Sequence, residues 1–264
     1  MGQMSNRTVV VTGAARGIGQ AIGEALLAEG ANVVFADLSD KVHEVADHAG
    51  ARANGAGGKA MGHVVDVTDR AQVREMIAKT VEAFGRLDVK FNNAGVNKPM
   101  NFLDVTEENW EWVMRINGLG VLIGIQEAAR QMIDQGGGGK IVNTCSITSR
   151  QGFDNVAPYC ASKFAVLSLT QSAARALAGH KITVNGFAPG VVNTELWQQL
   201  DKDLMEIGAS ERPGQAMEEF SSSILIGRPA TPADITGTTT FLASPASDYM
   251  TGQCVMIDGG MILV

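Results

Sequence analysis

A chain of 264 residues that is 45% apolar and 19% charged is long enough for one large α/β domain, and its composition excludes the low-hydrophobicity, high-charge profile of a disordered protein. A net charge of −7 excludes non-specific affinity for nucleic acid or for an anionic membrane surface, both of which require a basic face. No uninterrupted apolar run approaches the roughly 18 residues needed to cross a bilayer, and the N-terminus lacks a basic-then-apolar signal pattern, so a cytoplasmic protein with no membrane partner is expected.

In chain order, the short apolar runs RTVVVTG (7–13), NVVFADL (32–38), GHVVDV (62–67), LDVKFNNAG (87–95), GKIVNTCS (139–146), ITVNGFAPG (182–190) and GQCVMIDGG (252–260) read as strands. They alternate with segments in which apolar residues recur every three or four positions, including 17–29, 69–84, 107–134 and 159–178, which read as helices. Because the strand runs are continuously apolar, both sheet faces must be covered. The fold class is therefore α/β: a doubly wound Rossmann fold with a seven-stranded parallel sheet and helices on both faces. The glycine-rich stretches 50–58 and 136–139 read as loops and mark no boundary, so 1–264 is a single dinucleotide-binding catalytic domain. Segment 193–223 mixes Trp197, Met205, Gly208 and Pro213 without clean periodicity. It reads as an insertion acting as a substrate lid, the alternative being a surface helical hairpin.

Within VTGAARGIG, Gly13, Gly17 and Gly19 lie between the first strand and the first helix. Side chains there would obstruct a tight turn that brings a pyrophosphate to the helix N-terminus. The spacing departs from G-x-G-x-x-G, so the context has to carry the reading. Asp37 ends the second strand, eighteen residues after Gly19, where a dinucleotide fold places the acid that binds the adenosine ribose. A carboxylate repels the 2′-phosphate of NADP, whereas Arg16 in the glycine loop would attract it; NAD is the expected cofactor.

Tyr159 and Lys163 stand four residues apart on one helical face. A neighbouring ammonium and a positive nicotinamide ring would both favour phenolate. Ser146 lies thirteen residues upstream, and Asn117 lies in the helix before it. With TGAARGIG (12–19), NNAG (92–95), Asn117, Ser146, Tyr159-x-x-x-Lys163 and PGVVNT (189–194) in order, the chain resembles the short-chain dehydrogenase/reductase family over nearly its whole length. The resemblance implies Tyr159 as acid/base and Lys163 as the group that depresses its pKa and holds the nicotinamide ribose. It further implies Ser146 as hydrogen-bond partner of the substrate oxygen and Asn117 as holder of a water leading from Lys163. It assigns cofactor contacts to Gly13, Arg16, Gly17, Ile18, Gly19, Asp37, Asp66, Val67, Asn93, Ala94, Gly95, Tyr159, Lys163, Pro189, Gly190, Val192 and Thr194. Asp66 would meet the adenine, Asn93 and Gly95 the ribose, and Thr194 the carboxamide; a cap or turn role is the alternative for Asp66 and Asn93. No metal is needed. The family also implies a homotetramer.

The three cysteines include no C-x-x-C pair and read as reduced, with Cys145 and Cys160 as packing residues in preference to nucleophiles. His43, His48, His63 and His180 are expected to face solvent. SDYMTGQ (247–253) and IDGGM (257–261) resemble the bacterial polyol and vicinal-diol dehydrogenases of sorbitol or butanediol type. The expected partner is a small-molecule substrate, met by Asn97, Ser146, Gln151, Tyr159 and Trp197, with Glu195 as a further polar candidate. The alternatives are an NADPH-dependent 3-oxoacyl-(acyl-carrier-protein) reductase and a non-catalytic nucleotide-binding redox sensor.

Overall fold

The computed structural model describes residues 2–53 and 57–263. Its strands β1 (Thr8–Thr12), β2 (Asn32–Asp37), β3 (Ala60–Val64), β4 (Val89–Asn92), β5 (Gly139–Thr144), β6 (Ile182–Pro189) and β7 (Cys254–Ile257) form one parallel sheet in the order β3-β2-β1-β4-β5-β6-β7. The order reverses between β1 and β4, which opens a crevice at the carboxyl ends of the strands.

Helices cover both faces: α1 (Gly17–Ala28), α2 (Val42–Arg52), α3 (Arg70–Phe84), α4 (Glu107–Met114), α5 (Gly120–Gln135), α6 (Ala157–Leu177), α7 (Glu195–Glu206), α8 (Gln215–Ser221) and α9 (Pro232–Ala243). The continuous apolar strands are explained by this double cover. In β1, Val9 and Val11 join a core with Ile22 and Leu26 of α1 and Ile235 and Leu242 of α9. Val10 faces the other way, into a core with Val73 and Met76 of α3, Val121 and Met132 of α5 and Val166 of α6. No helix among the described residues is long and apolar enough to cross a membrane.

Three sequence expectations change. The loop expected at 50–58 starts later, because residues up to Arg52 complete α2, and 54–56 lie outside the described residues. The helix expected over 107–134 is interrupted: the Gly120 N–H reaches the Arg115 carbonyl, five residues back, forming a π-turn over Arg115–Leu119. Such turns displace one residue from helical register and recur at functional sites; here the turn contains Asn117. Segment 193–223 is ordered into α7 and α8. Its periodicity is present after all, since Leu196, Leu200 and Leu204 recur every fourth residue. Gly208, Pro213 and Gly214 then separate the two helices.

Candidate active site

A cavity of about 460 Å³ lies over the crevice and runs from Asp37 to Tyr159. Its floor is the β1–α1 turn. Gly13 has φ +66°, and a Cβ there would lie 2.8 Å from the Ala94 Cα, so only glycine permits β1 and β4 to end this close together. Arg16 at the start of α1 gives no side-chain cap, and the first turn contains no acid, whereas α3, α4 and α7 begin at the capping side chains of Asp69, Thr106 and Thr194. The opening N–H groups of α1 are thus unsatisfied donors beside the cavity, suited to the pyrophosphate of a dinucleotide.

The flanking side chains are held by the backbone. Asp37 accepts from the Ala15 and Ser39 N–H groups, both at 3.0 Å, which fixes its carboxylate between the glycine loop and the end of β2. Asp66 accepts from the Thr68 N–H at 2.8 Å through one oxygen, as a turn residue would. Asn93 donates to the carbonyls of Thr12 (2.9 Å) and Gly13 (3.2 Å) and accepts from the Thr144 hydroxyl (3.1 Å). Its amide stitches β1, β4 and β5 together. Thr194 caps α7 through the Trp197 N–H at 3.4 Å.

At the other end, α6 presents Tyr159 and Lys163 one turn apart. Lys163 is buried, donates to the Thr144 carbonyl at 2.8 Å and lies 5.4 Å from the Tyr159 ring centroid. Burial depresses the ammonium to about 8. Burial also pushes the phenol up to about 12, with Ser146 pulling the other way as a hydrogen-bond partner. Loss of hydration outweighs a cation that is bonded elsewhere, so burial alone favours the protonated phenol. Ser146 caps the short turn Ile147–Ser149, accepting from the Thr148 N–H at 3.2 Å.

Asn117 is fully buried and does not line the cavity. Its amide accepts from the Val96 N–H (2.9 Å) and donates to the Val96 carbonyl (2.9 Å) and the Ser162 hydroxyl (3.0 Å). This side chain clamps the segment after Gly95 against α6. Gly95 permits this, since a Cβ there would stand 3.2 Å from the Asn117 Oδ1 and 3.7 Å from the Lys163 Nζ.

Every other expected cofactor residue lines the cavity: Gly13, Arg16, Gly17, Ile18, Gly19, Asp37, Asp66, Val67, Asn93, Ala94, Gly95, Pro189, Gly190, Val192 and Thr194. Among the substrate candidates, Asn97, Ser146, Tyr159 and Trp197 line it and Gln151 does not. Gln151 is exposed because the turn after Ser146 carries it outward. Glu195 lines the mouth but is engaged by Arg16 at 2.8 Å. One wall of the cavity is largely aromatic, and only its Trp197 was anticipated: Phe153 and Trp197 each stand 5.6 Å, centroid to centroid, from Phe220, and Leu200 and Leu204 line the same cavity. The four-residue spacing in α7 could have revealed the two leucines; Phe220, on a seven-residue helix, gives no comparable signal.

The bystander residues separate cleanly. Cys145 is buried in the core beneath the cavity and lies near Cys254, which acts as hydrogen-bond partner and lowers its pKa, while Cys160 is buried with its Sγ accepting from the Phe153 N–H at 3.3 Å. His43, His48 and His180 are exposed, but His63 is half-buried, and desolvation lowers its pKa.

Residues 13–262 match the family model described as enoyl-(acyl carrier protein) reductase. The chain is 41% identical over 257 residues to the L-2,3-butanediol dehydrogenase of Corynebacterium glutamicum, covering 97% of this chain and 99% of the relative. It is 40% identical over 258 residues to the galactitol 2-dehydrogenase of Agrobacterium fabrum, covering 98% of each. Among solved structures, a candidate NAD(P)-dependent gluconate 5-dehydrogenase from Beutenbergia cavernae with NADP bound at low occupancy is 37% identical. It superposes with a TM-score of 0.84 over 97% of each chain.

Proposed function

Given that the chain belongs to the short-chain dehydrogenase/reductase family and is an oxidoreductase, we propose that it interconverts a short vicinal diol and the matching hydroxyketone with NAD. The observation that carries this is a single cavity joining a carboxylate fixed by backbone N–H groups at one end, Asp37, to the Tyr159 phenol at the other. The bound nicotinamide would supply or accept the hydride. Asp37 would hold the adenosine ribose, and the α1 N-terminus the pyrophosphate.

In the reduction direction the Tyr159 hydroxyl protonates the substrate oxygen while the Ser146 hydroxyl steadies the charge growing on it. In oxidation the same phenol takes the proton back. Lys163 fixes the end of β5 and supplies positive charge beneath the ring. Asn117 is a positioning residue, holding Val96 and α6 in register. Helices α7 and α8 act as the lid, excluding water from the reacting atoms.

The aromatic wall favours a small substrate with apolar ends over a long polyol, whose further hydroxyls would be left without partners there. Galactitol 2-dehydrogenase activity in a relative makes the polyol the competing substrate. The acid-rich cavity also speaks against a 3-oxoacyl-thioester reductase dependent on NADPH.

The test is a panel of short vicinal diols and hexitols offered with NAD, read as absorbance of the reduced nicotinamide. Diols are expected to give the higher kcat/KM, and Tyr159→Phe to lose roughly 10²–10⁴-fold in kcat while still binding nucleotide. Failure of the wild-type protein to oxidise any secondary alcohol, or near-normal turnover by Tyr159→Phe, would sink the reading. A homotetramer belongs to the same proposal and is argued below.

A further inference from the structure

The mouth of the cavity carries an ion pair that ties the glycine loop to α7. Arg16 Nη1 lies 2.8 Å from Glu195 Oε2, with the side chains 64% and 63% exposed. Packing keeps the two elements together independently of the charges, since a Cβ on Gly17 would stand 3.6 Å from the Thr194 Cγ2, in ordinary contact. Glu195 opens the first turn of a twelve-residue helix, where the helix dipole favours a carboxylate.

The charges around the cavity are unequal. Asp37, Asp66, Asp154 and Glu195 line it against Arg16 and Lys163 as the only lining cations among the described residues. Lys163 is committed to the Thr144 carbonyl at the far end. Arg16 is thus the one lining cation at the mouth able to meet a phosphate on the adenosine ribose, and Glu195 holds it.

We propose that Glu195 is a cofactor-specificity residue: by engaging Arg16 it withholds the cation that a 2′-phosphate requires, so that discrimination against NADP rests on two carboxylates, Asp37 and Glu195. The inference rests on the reading of the cavity as a dinucleotide site. Asp37 repels the 2′-phosphate directly. Glu195 acts through Arg16, whose guanidinium would otherwise form charge-assisted bonds to phosphate oxygens. Both partners are solvent-exposed, so the effect is modest, and its signature is selectivity for nucleotides that carry the 2′-phosphate.

The experiment measures dissociation constants of 5′-ADP and 2′,5′-ADP by calorimetry for wild type, Glu195→Gln, Glu195→Ala, Arg16→Leu and Arg16→Leu/Glu195→Gln, at one fixed low salt concentration. Freeing the guanidinium should tighten 2′,5′-ADP by roughly three- to tenfold in both Glu195 variants, while 5′-ADP changes by less than about twofold. The gain should vanish in the double variant and shrink as salt is raised. Equal effects on both nucleotides, or a gain that survives removal of Arg16, would overturn the role of Glu195. If wild type binds neither nucleotide, the dinucleotide reading itself fails, and this proposal with it.

Discussion

Lys90 shows what a single residue can hide inside a legible element. LDVKFNNAG reads as a strand because its neighbours are apolar, and β4 forms as expected; the lysine within it raises no alarm at the level of pattern. In the structure its side chain is buried beside Val67, Val73, Val121 and Gly124, and its ammonium donates to the Phe91 carbonyl at 2.8 Å. Burial depresses it from 10.5 to about 7. Between those values the unfolded chain carries a proton that the folded protein lacks, so stability rises with pH across the window; below about 7 both states are protonated and the full burial cost applies. Lys90→Met keeps the volume and removes the charge. It should raise unfolding stability by up to about 5 kcal/mol below neutral pH, with the gain fading towards the ordinary lysine pKa. Urea unfolding at a series of pH values measures this. A gain of the same size at neutral and strongly alkaline pH would show that the ammonium is not the source of the cost. Charge burial of this kind depends on which way a strand residue faces, and a continuously apolar run does not reveal that.

At the scale of elements, the motifs carried most of the site because each reports a backbone requirement. Gly19 is the sharpest case: a Cβ there would lie 2.2 Å from the Gly13 carbonyl oxygen and 2.6 Å from the Asn93 amide nitrogen, which is itself pinned by hydrogen bonds to β1. Gly19→Ala should therefore displace the β1–α1 turn, weakening nucleotide binding at least about tenfold and destabilising the fold by about 2 kcal/mol. Gly237 in α9 is the control, since a Cβ there meets nothing within 4 Å; Gly237→Ala should be neutral or slightly stabilising. Calorimetric titration with nucleotide and thermal melts compare the two, and equal effects would mean that the close approach of Gly19 to Gly13 is immaterial. What the motifs did not carry has a different physical origin. The π-turn at Asn117 is invisible to periodicity, because displacing one residue leaves the apolar pattern on either side intact. Phe153 and Phe220 meet only because α8 folds back over the turn after Ser146, a tertiary contact with no local sign. Gln151 failed for the complementary reason: its place two residues from Phe153 says nothing about which way a tight turn points it.

At the scale of the molecule, two apolar surfaces among the described residues bear on association. Where α4, α5 and α6 pack together, Trp110 (46% exposed), Trp112 (42%), Leu119 (38%) and Phe164 (44%) face outward. At the other end of the sheet, β7 is an edge strand whose outer side has no partner among the described residues, and Phe241 and Leu263 are 40% and 82% exposed. Leu263 belongs to the apolar run 261–264, of which residue 264 lies outside the described residues. An unpaired sheet edge beside exposed apolar side chains invites a second chain, and a two-fold axis at each surface closes the assembly without leaving a further sticky face. Four copies satisfy both axes. The α6 interface would also brace the helix that carries Tyr159 and Lys163, linking assembly to catalysis. Light scattering on the purified protein should therefore give about four times the 27.8 kDa chain mass. Phe164→Glu, which places a charge in the α6 surface and touches neither the cavity nor β7, should reduce this to a dimer and lower kcat with little change in nucleotide affinity. A wild-type mass near one chain at micromolar concentration would refute association. A tetramer that survives Phe164→Glu would mean that the α4–α6 surface is not an interface, and its exposed tryptophans would then need another partner.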